Sequence, residues 1–319
     1  MLETDTKYNY IVRSIYKNND VDVESEFNFS IDVKVYNKRI SGYTIKLNGI
    51  SSDCVDMSID GDPIDERFRD FVNPNIARFI KIRYDRDCNI AGNLHSASGT
   101  NHILQLCLYL VKLFFPNITH FEFRDSSARK CSDLSIYTVN SNTYFIALFG
   151  TTWYEGLYGA YIRDIHNRNL YNKCIERLHD SALKSSMSFE QFAHMFTINV
   201  TGQSRLDFEH LKNIYGYSKN FREFFDAIKS AYKYNKRNNE DREKICELLS
   251  PWVDDFIKRV ILHNEKGIDF FSLDWFIDSD KITKPTILNF EKNKKMVGSG
   301  RRVSNGIYML ISSSCHKFD

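Results

Sequence analysis

The sequence predicts an α+β protein in which a mixed, mostly antiparallel sheet with helices is followed by a mainly helical C-terminal unit. Three observations support this fold class. Apolar and polar residues alternate over residues 27–35, 43–47 and 55–59, which is the period of half-buried strands. A very apolar helix is expected at residues 101–115. Beyond about residue 164 the apolar residues recur at helical spacing instead.

The three alternating segments are expected to pair as a meander. In the first of them Phe27, Ile31 and Val35 share one face with other apolar residues, while polar residues occupy the other face. A turn at residues 37–38 and the Asn-Gly pair at residues 48–49 separate the segments. Short turns of this kind join antiparallel neighbours, so the segments should pair in chain order.

A strand–loop–helix–strand stretch follows the meander. A strand is predicted at residues 80–84, a loop of small residues at 97–100, the apolar helix at 101–115 and a second strand at 118–123. Only one polar stripe interrupts the helix, so we expect it to be mostly buried against a sheet. Residues 144–149 fit either a further strand or a buried helical turn.

The C-terminal unit is predicted from helical stripes and their start signals. Phe189, Phe192 and Phe196 recur at helical spacing behind possible caps at Ser186 or Ser188. A second stripe covers residues 221–231. Further signals are a helix start at Pro251, a short helix at residues 65–71 and a strand at residues 307–311. We place the domain boundary at residue 164, giving an α/β domain of residues 1–164 and a mainly helical domain of residues 165–319.

Composition excludes several classes of protein. With 43 Lys and Arg against 41 Asp and Glu, the net charge of +2 gives no global field for nucleic acid or an anionic membrane. The most apolar segment, residues 103–115, is too short to span a bilayer, and the N-terminus lacks the features of a signal peptide. We therefore expect a cytoplasmic protein without a membrane segment.

The seven cysteines are odd in number, widely scattered and free of any C-x-x-C pair. This pattern predicts neither a disulfide framework nor a zinc module, and it favours a reducing compartment. We expect no metal site.

The small residues before the apolar helix suggest an anion site. The first N–H groups of a helix lack partners and carry partial positive charge, which suits a phosphate. Gly99 would let a phosphate approach the backbone, and Ser98 or Thr100 would cap the helix or donate a hydroxyl group. An ordinary capped helix explains the same residues, and the local sequence favours it. The loop matches neither the P-loop nor the dinucleotide-binding motif.

The order of these parts, ending in Trp153-Tyr154-Glu155 and closing on Gly159, resembles the core of the GNAT acyltransferase superfamily. In that superfamily a loop Q/R-x-x-G-x-G/A holds the pyrophosphate of acetyl-coenzyme A, and a later helix carries a pattern like Y-E-x-x-G-F. The corresponding stretches here are residues 94–99 and 154–160. Five short stretches in the first half of the chain also resemble uncharacterised proteins of nucleocytoplasmic large DNA viruses: Ser98-Gly99-Thr100, Phe115-Pro116, Asp125-Ser126-Ser127, Lys130-Cys131 and Thr152-Trp153-Tyr154-Glu155.

The resemblance implies roles for particular residues. Acetyl-coenzyme A would be held by the residues Ala97, Ser98, Gly99, Thr100 and Asn101. Tyr154 would be the general acid that protonates the leaving thiolate, and Glu155 or Asp125 would be the base. The alternatives are that Tyr154 is a core or rim tyrosine beside Trp153 and that the carboxylates are solvated.

Three positions depart from the superfamily pattern, and they set the expected function. Leu94 stands in place of Gln or Arg, Ala97 in place of Gly and Ala160 in place of Phe. We therefore expect a catalytically degenerate GNAT-like viral protein that is a binding or structural factor in virus assembly or viral gene expression. The alternative is an acyl-CoA-dependent N-acyltransferase. The expected location is the host cytoplasm or viral factory, or the virion, with a viral or host protein as partner.

A basic, glycine-containing loop at residues 292–302 is a second candidate for binding. Its basic residues include Lys294, Lys295, Arg301 and Arg302, which suit a nucleic-acid backbone or an acidic partner. The alternative is a solvated hairpin or a mobile loop.

Overall fold

The computed structural model describes residues 3–18, 21–36, 39–48, 53–60, 75–82, 97–124, 128–131, 138–196, 205–232, 239–263 and 269–292. Together they form an α+β fold with a large, mostly antiparallel mixed sheet and, within the described ranges, ten α-helices. Contacts divide the chain into two compact units, Met1–Phe123 with Phe276–Asp319, and Arg124–Trp275. The second unit is thus inserted into the first, and the boundary predicted at residue 164 from the change of period lies inside the second unit.

The described strands and helices are as follows. The strands are β1 (Glu3–Asn18), β2 (Val21–Tyr36), β3 (Arg39–Asn48), β4 (Asp53–Asp60), β5 (Ile76–Ile82), β6 (His120–Phe123), β7 (Ala128–Lys130), β8 (Thr138–Asn140), β9 (Tyr161–Ile162), β10 (Trp275–Asp278) and β11 (Thr286–Lys292). The helices are α1 (Ala97–Phe114), α2 (Ser141–Phe149), α3 (Trp153–Tyr158), α4 (Ile165–Glu176), α5 (Ser181–Ser185), α6 (Phe189–Met195), α7 (Arg205–Tyr217), α8 (Phe221–Ala231), α9 (Asn239–Leu249) and α10 (Val253–Phe256).

The sheet of the first unit contains the predicted meander. Its strands follow the order β11-β1-β2-β3-β4-β5-β6-β10. The antiparallel pairing of β2 with β3 and of β3 with β4 is confirmed, with Phe29 opposite Leu47 and Ile45 opposite Met57. These four side chains are fully buried, so the alternation identified the face that lies on the core correctly.

Strand β1 was not predicted, although it pairs with β2 along nearly its whole length. Its inward positions include Tyr10, Val12, Ser14 and Tyr16, all of them buried. Three of these four side chains carry a hydroxyl group, which weakens the contrast between apolar and polar positions. The period of two is present in β1, but the hydroxyl groups at its inward positions make it hard to recognise in the sequence.

Helix α1 covers the apolar face of this sheet. Leu104, Cys107, Leu108 and Val111 are fully buried, as expected for the apolar helix. The helix begins at Ala97 rather than at Asn101, so the small residues predicted as a loop form its first turn. Ala, Ser and Thr are all tolerated in a first helical turn, where tertiary packing decides where the helix begins.

The chain enters α1 from β5 and leaves it towards β6, and these two strands are parallel. Ile76, Ala77 and Arg78 lie opposite His120, Phe121 and Glu122, in that order. A helix is the usual connection between parallel neighbours. The two predicted strands around α1 are confirmed at residues 80–82 and 120–123, while residues 83–84 lie outside the described residues.

The second unit is mainly helical around an aromatic core. Residues 144–149, for which strand and helix remained open, belong to helix α2, which ends at Gly150 with a φ of 76°. The predicted cap Ser188 is confirmed at the start of α6. The helix predicted after Pro251 is present as α10, which continues into a π-helical turn at Ile257–Ile261. The largest buried rings among the described residues of this unit are Trp252, Trp275, Tyr144, Phe192, Phe196, Phe221, Phe224 and Phe225.

One disulfide corrects the interpretation of the cysteines. Cys131 and Cys246 are bonded, 115 residues apart in the chain, and both lie in the second unit. The prediction that the cysteines form no disulfide was therefore wrong for this pair. A spacing of this length carries no local signature, because only the fold brings the two residues together.

Several predictions lie outside the described residues: the helix at residues 65–71, the strand at 307–311, Asp125 and the four basic residues Lys294, Lys295, Arg301 and Arg302. Within the described ranges, no helix has both the length and the hydropathy needed to cross a bilayer.

Candidate functional site

The residues predicted to hold a coenzyme lie at the start of α1. Ala97 to Thr100 form its first turn, so their backbone N–H groups are the ones without partners inside the helix. Gly99 is buried, and Thr100 and Asn101 are half-buried. This geometry is compatible with an anion at the helix start, but the first turn of any helix has such N–H groups.

Beside the first turns of α1 the first unit contains a cleft of about 290 Å³. Three segments that are distant in sequence form it: the end of β1, helix α1 and the start of β11. Its lining residues are Ile15, Tyr16, Lys17, Asn101, His102, Gln105, Lys284, Pro285 and Thr286. Asn101 is the one predicted coenzyme residue among them. We call this feature the α1 cleft.

A buried polar group lies at the base of the α1 cleft. The His102 side chain is 4% exposed, and its Nε2 lies 2.8 Å from the Ser14 hydroxyl oxygen. The imidazole stacks on the Tyr16 ring, with 4.9 Å between ring centres. Burial lowers the pKa of His102 to about 4, so the ring is neutral at neutral pH. The Ser14–His102 pair is therefore a neutral hydrogen bond.

Ser25 lies directly opposite Ser14 in the pairing of β1 with β2. Directly opposed residues in neighbouring strands point to the same face, so both serines face the side that α1 covers. Ser25 is 2% exposed, and its hydroxyl group has no hydrogen-bond partner among the described residues. The hydroxyl groups of Ser14 and Ser25 thus both lie on the side of the sheet that α1 covers with His102.

The mouth of the α1 cleft is basic. Lys17 and Lys284 both line it, whereas none of the nine lining residues carries a carboxylate. The Lys17 ammonium lies 3.5 Å from an Asp22 carboxylate oxygen in an exposed pair. Gln105 donates a hydrogen bond to the Thr283 carbonyl and so fixes the segment before β11 on α1.

Most of this site was not predicted from the sequence, because β1 and β11 were not predicted. Asn101 was named, but His102, Ser14 and the two lysines were not. The available signal was the alternation of Tyr8, Tyr10, Val12, Ser14 and Tyr16, which predicts a strand once tyrosine and serine are accepted as inward-facing residues.

Of the predicted catalytic residues, Tyr154 and Glu155 lie on α3, and Glu155 is engaged in holding that helix. Thr152 and Glu155 form a capping box, in which a Glu155 carboxylate oxygen accepts the Thr152 backbone N–H at 2.7 Å. The same oxygen accepts the Tyr171 hydroxyl at 2.8 Å. Burial first, and the Glu155 charge second, raise the pKa of Tyr171 well above its usual value.

Tyr154 is buried in the same unit. Its side chain is 7% exposed, and its ring meets Trp153 edge-on with 4.8 Å between ring centres. This is the environment of a core tyrosine beside a tryptophan, which was the alternative to a general acid. In the described ranges no group of three or more His, Cys, Asp or Glu side chains forms a metal site.

The buried His102 predicts a specific dependence of stability on pH. Its pKa is about 4 in the folded chain and 6.5 in the unfolded chain, so between these values the unfolded chain binds more protons. Stability should therefore fall as the pH falls, by about 2 kcal/mol between pH 7.5 and pH 5 from this residue alone. Urea unfolding followed by circular dichroism measures the effect.

The variant His102→Gln should lose this part of the pH dependence. The exposed His194 of α6 supplies the matched control, since His194→Gln makes the same substitution outside the buried core. Identical slopes for His102→Gln and the unchanged protein would contradict the assigned burial.

Comparison with protein-family models, with curated proteins and with solved structures finds no match for this chain.

Proposed function

We propose that the chain is a catalytically degenerate GNAT-like viral protein that acts as a binding or structural factor in virus assembly or viral gene expression. The observation that carries the proposal is the engagement of Glu155. A general base must be able to accept a proton from the substrate amine. The Glu155 oxygen instead accepts two hydrogen bonds that hold α3 and Tyr171 in place.

Two further observations support the loss of catalysis. Tyr154 is buried beside Trp153, where a leaving thiolate would need a path to its hydroxyl group. The sequence departs from the superfamily pattern at Leu94, Ala97 and Ala160. Binding and structural roles need no proton transfer, so neither observation argues against them.

The layout of the first unit supports the GNAT-like part of the proposal. An antiparallel meander of β2, β3 and β4 continues into β5, which is parallel to β6, with α1 between them. The strand–helix–strand order on which the resemblance rests is therefore present. A viral or host protein is the proposed partner, and the basic loop around Arg301 and Arg302 is the proposed place for an acidic partner or nucleic acid.

The Cys131–Cys246 disulfide has to be reconciled with the proposed location in the host cytoplasm or viral factory, or in the virion. Disulfides are rare in reducing compartments. Both cysteines are buried, so a small thiol reaches the bond only when the second unit opens.

An acyl-CoA-dependent N-acyltransferase is the second candidate, and the start of α1 favours it. The helix follows one parallel strand and precedes the next, so its first N–H groups lie towards the carboxyl end of β5, where anions bind in such arrangements.

Calorimetry and a turnover assay separate the two candidates. With acetyl-coenzyme A and an amine-bearing peptide, the proposal expects no release of free coenzyme A. Isolation of the protein from infected cells should return a stoichiometric protein or nucleic-acid partner. Acetylation that is lost in Tyr154→Phe but kept in Tyr158→Phe, a buried tyrosine of the same helix, would establish the enzyme instead.

The structural role of Glu155 makes its own prediction. Replacing Glu155 with Gln removes the negative charge that accepts hydrogen bonds from the Thr152 backbone N–H and the Tyr171 hydroxyl. The free energy of unfolding of the second unit should therefore fall by about 1–2 kcal/mol. Glu176→Gln, at an exposed position of α4, should change stability by less than about 0.5 kcal/mol. Thermal unfolding checks both, and an unchanged stability in Glu155→Gln would contradict the role assigned to this carboxylate.

A further inference from the structure

The Cys131–Cys246 disulfide is inaccessible to reagents in solution while the second unit is folded. Cys131 is 3% exposed and Cys246 is fully buried. Cys246 lies on α9, where Ile245 and Leu249 are buried as well. Thiol–disulfide exchange requires the attacking sulfur to contact the attacked sulfur. Folding of the second unit therefore prevents both the formation and the reduction of this bond.

The unfolded chain does not favour the pairing of Cys131 with Cys246 either. The probability that two residues of an unfolded chain meet falls with about the 3/2 power of their separation. Cys107 and Cys174 both lie closer to Cys131 in the sequence than Cys246 does. On this basis, contact of Cys131 with Cys107 is favoured by about tenfold over contact with Cys246. Oxidation of the unfolded chain would thus produce mainly other bonds.

The free cysteines that the structure describes are poorly suited to correct a wrong bond after folding. Cys54, Cys107 and Cys174 are all buried. Burial raises the pKa of the Cys107 thiol and of the Cys174 thiol. Because the thiolate is the form that attacks a disulfide, neither thiol is an effective attacking group in the folded chain.

We propose that the Cys131–Cys246 bond is made on a partly folded second unit, by exchange with a small disulfide donor, and that completion of the fold then buries it. The end of β7 and α9 must already lie close together while the unit is still open to the donor. Chains of this size commonly pass through partly folded states. The presence of the bond therefore depends on the redox conditions during folding rather than on those around the folded protein. This inference goes beyond the proposed function, because it holds whether the chain binds a partner or transfers an acyl group.

The exchange has two steps. The thiolate of one cysteine attacks the donor R–S–S–R, forms a mixed disulfide with one R–S group and releases the other as a thiol. The thiolate of the second cysteine then attacks the sulfur of the first, so that Cys131–Cys246 forms and the remaining R–S group leaves as a thiol. Two cysteine thiols are thereby oxidised by two electrons, and the donor is reduced to two thiols that take up the two cysteine protons.

Oxidation of the full chain at two different times tests the proposal, with oxidised glutathione as the donor. The reduced chain is unfolded in urea and diluted under nitrogen. The donor is added either at dilution or after tryptophan fluorescence has reached its folded value. Alkylation at intervals and mass spectrometry of the linked peptides measure the bond. We expect Cys131–Cys246 to form at least tenfold faster when the donor is present from the start.

Core variants test whether opening of the second unit limits the late oxidation. Phe192→Ala loosens the core of the second unit and should speed late oxidation at least tenfold, and the milder Phe192→Leu should act in the same direction. The same two substitutions at Phe29 are the matched control, because Phe29 is fully buried in the first unit. Their late oxidation should stay within threefold of the rate for the unchanged protein.

Three outcomes would overturn the proposal. Equal rates for early and late addition would show that the folded unit admits the donor. Early addition that yields mainly bonds other than Cys131–Cys246 would show that no open, partly folded state brings the two cysteines together. Equal acceleration by the Phe29 and Phe192 variants would show that access to the cysteines does not depend on the second unit.

Discussion

Replacing Phe192 with alanine is expected to lower the free energy of unfolding of the second unit by about 3–5 kcal/mol. The Phe192 side chain is fully buried, and its ring lies within 6.4 Å, centre to centre, of seven other aromatic rings. These belong to Phe189, Phe196, Tyr215, Phe221, Phe224, Trp252 and Phe256. Removing the ring forfeits these contacts and leaves a cavity that a packed core closes only in part.

The measurement is urea unfolding followed by tryptophan fluorescence. All three tryptophans, Trp153, Trp252 and Trp275, lie in the second unit, so their signal reports that unit alone. Phe271→Ala provides the control, because Phe271 is only half-buried in the same unit and should cost less than about 2 kcal/mol. Equal losses for the two variants would show that Phe192 is not central to the core.

Removing the disulfide should have an effect of similar size. The bond joins residues 115 positions apart, and closing a loop of this length restricts the unfolded chain enough to contribute about 3–5 kcal/mol. Cys131→Ala/Cys246→Ala should therefore lower the melting temperature of the second unit by roughly 10 °C. Tryptophan fluorescence during heating measures this change.

A reducing agent supplies the internal control. Complete reduction should bring the unchanged protein to the stability of the double variant and leave the double variant itself unaffected. Cys174→Ala tests whether any buried cysteine of this unit behaves alike, since Cys174 is buried and unbonded and should cost less than the bonded pair. If reduction left the melting temperature of the unchanged protein the same, the disulfide would be refuted.

The elements with a clear period were predictable from the sequence. The meander, the apolar helix and the phenylalanine stripe beginning at Phe189 each follow a repeat of two or 3.6 residues, which burial on one face imposes. Helix α2 could not be settled in advance, since a short apolar run such as residues 144–149 satisfies either geometry. Asn140, which caps α2, and Gly150, which ends it, decide between them.

The α1 cleft was less predictable, because its parts meet only through long-range pairing. The pairing of β11 with β1 brings Lys284 and Lys17 to the same cleft, and no local sequence pattern predicts that residues so far apart lie close together. Glu155 illustrates the opposite case. Thr152 and Glu155 have the spacing of a capping box. A structural role for this carboxylate was therefore predictable from the sequence, as an alternative to the catalytic role.

The insertion of one unit into the other also has a consequence during protein synthesis. Strand β1 receives its outer neighbour only when β11 has been made, because Ile15 pairs with Thr286 and Tyr10 with Lys292. At about 5–20 residues per second, the ribosome needs roughly 15–55 s to make the chain between them. For that time the nascent chain carries an open strand edge, the kind of surface on which aggregation begins. The unit that is translated first is thus completed last, after the inserted unit has already been translated in full.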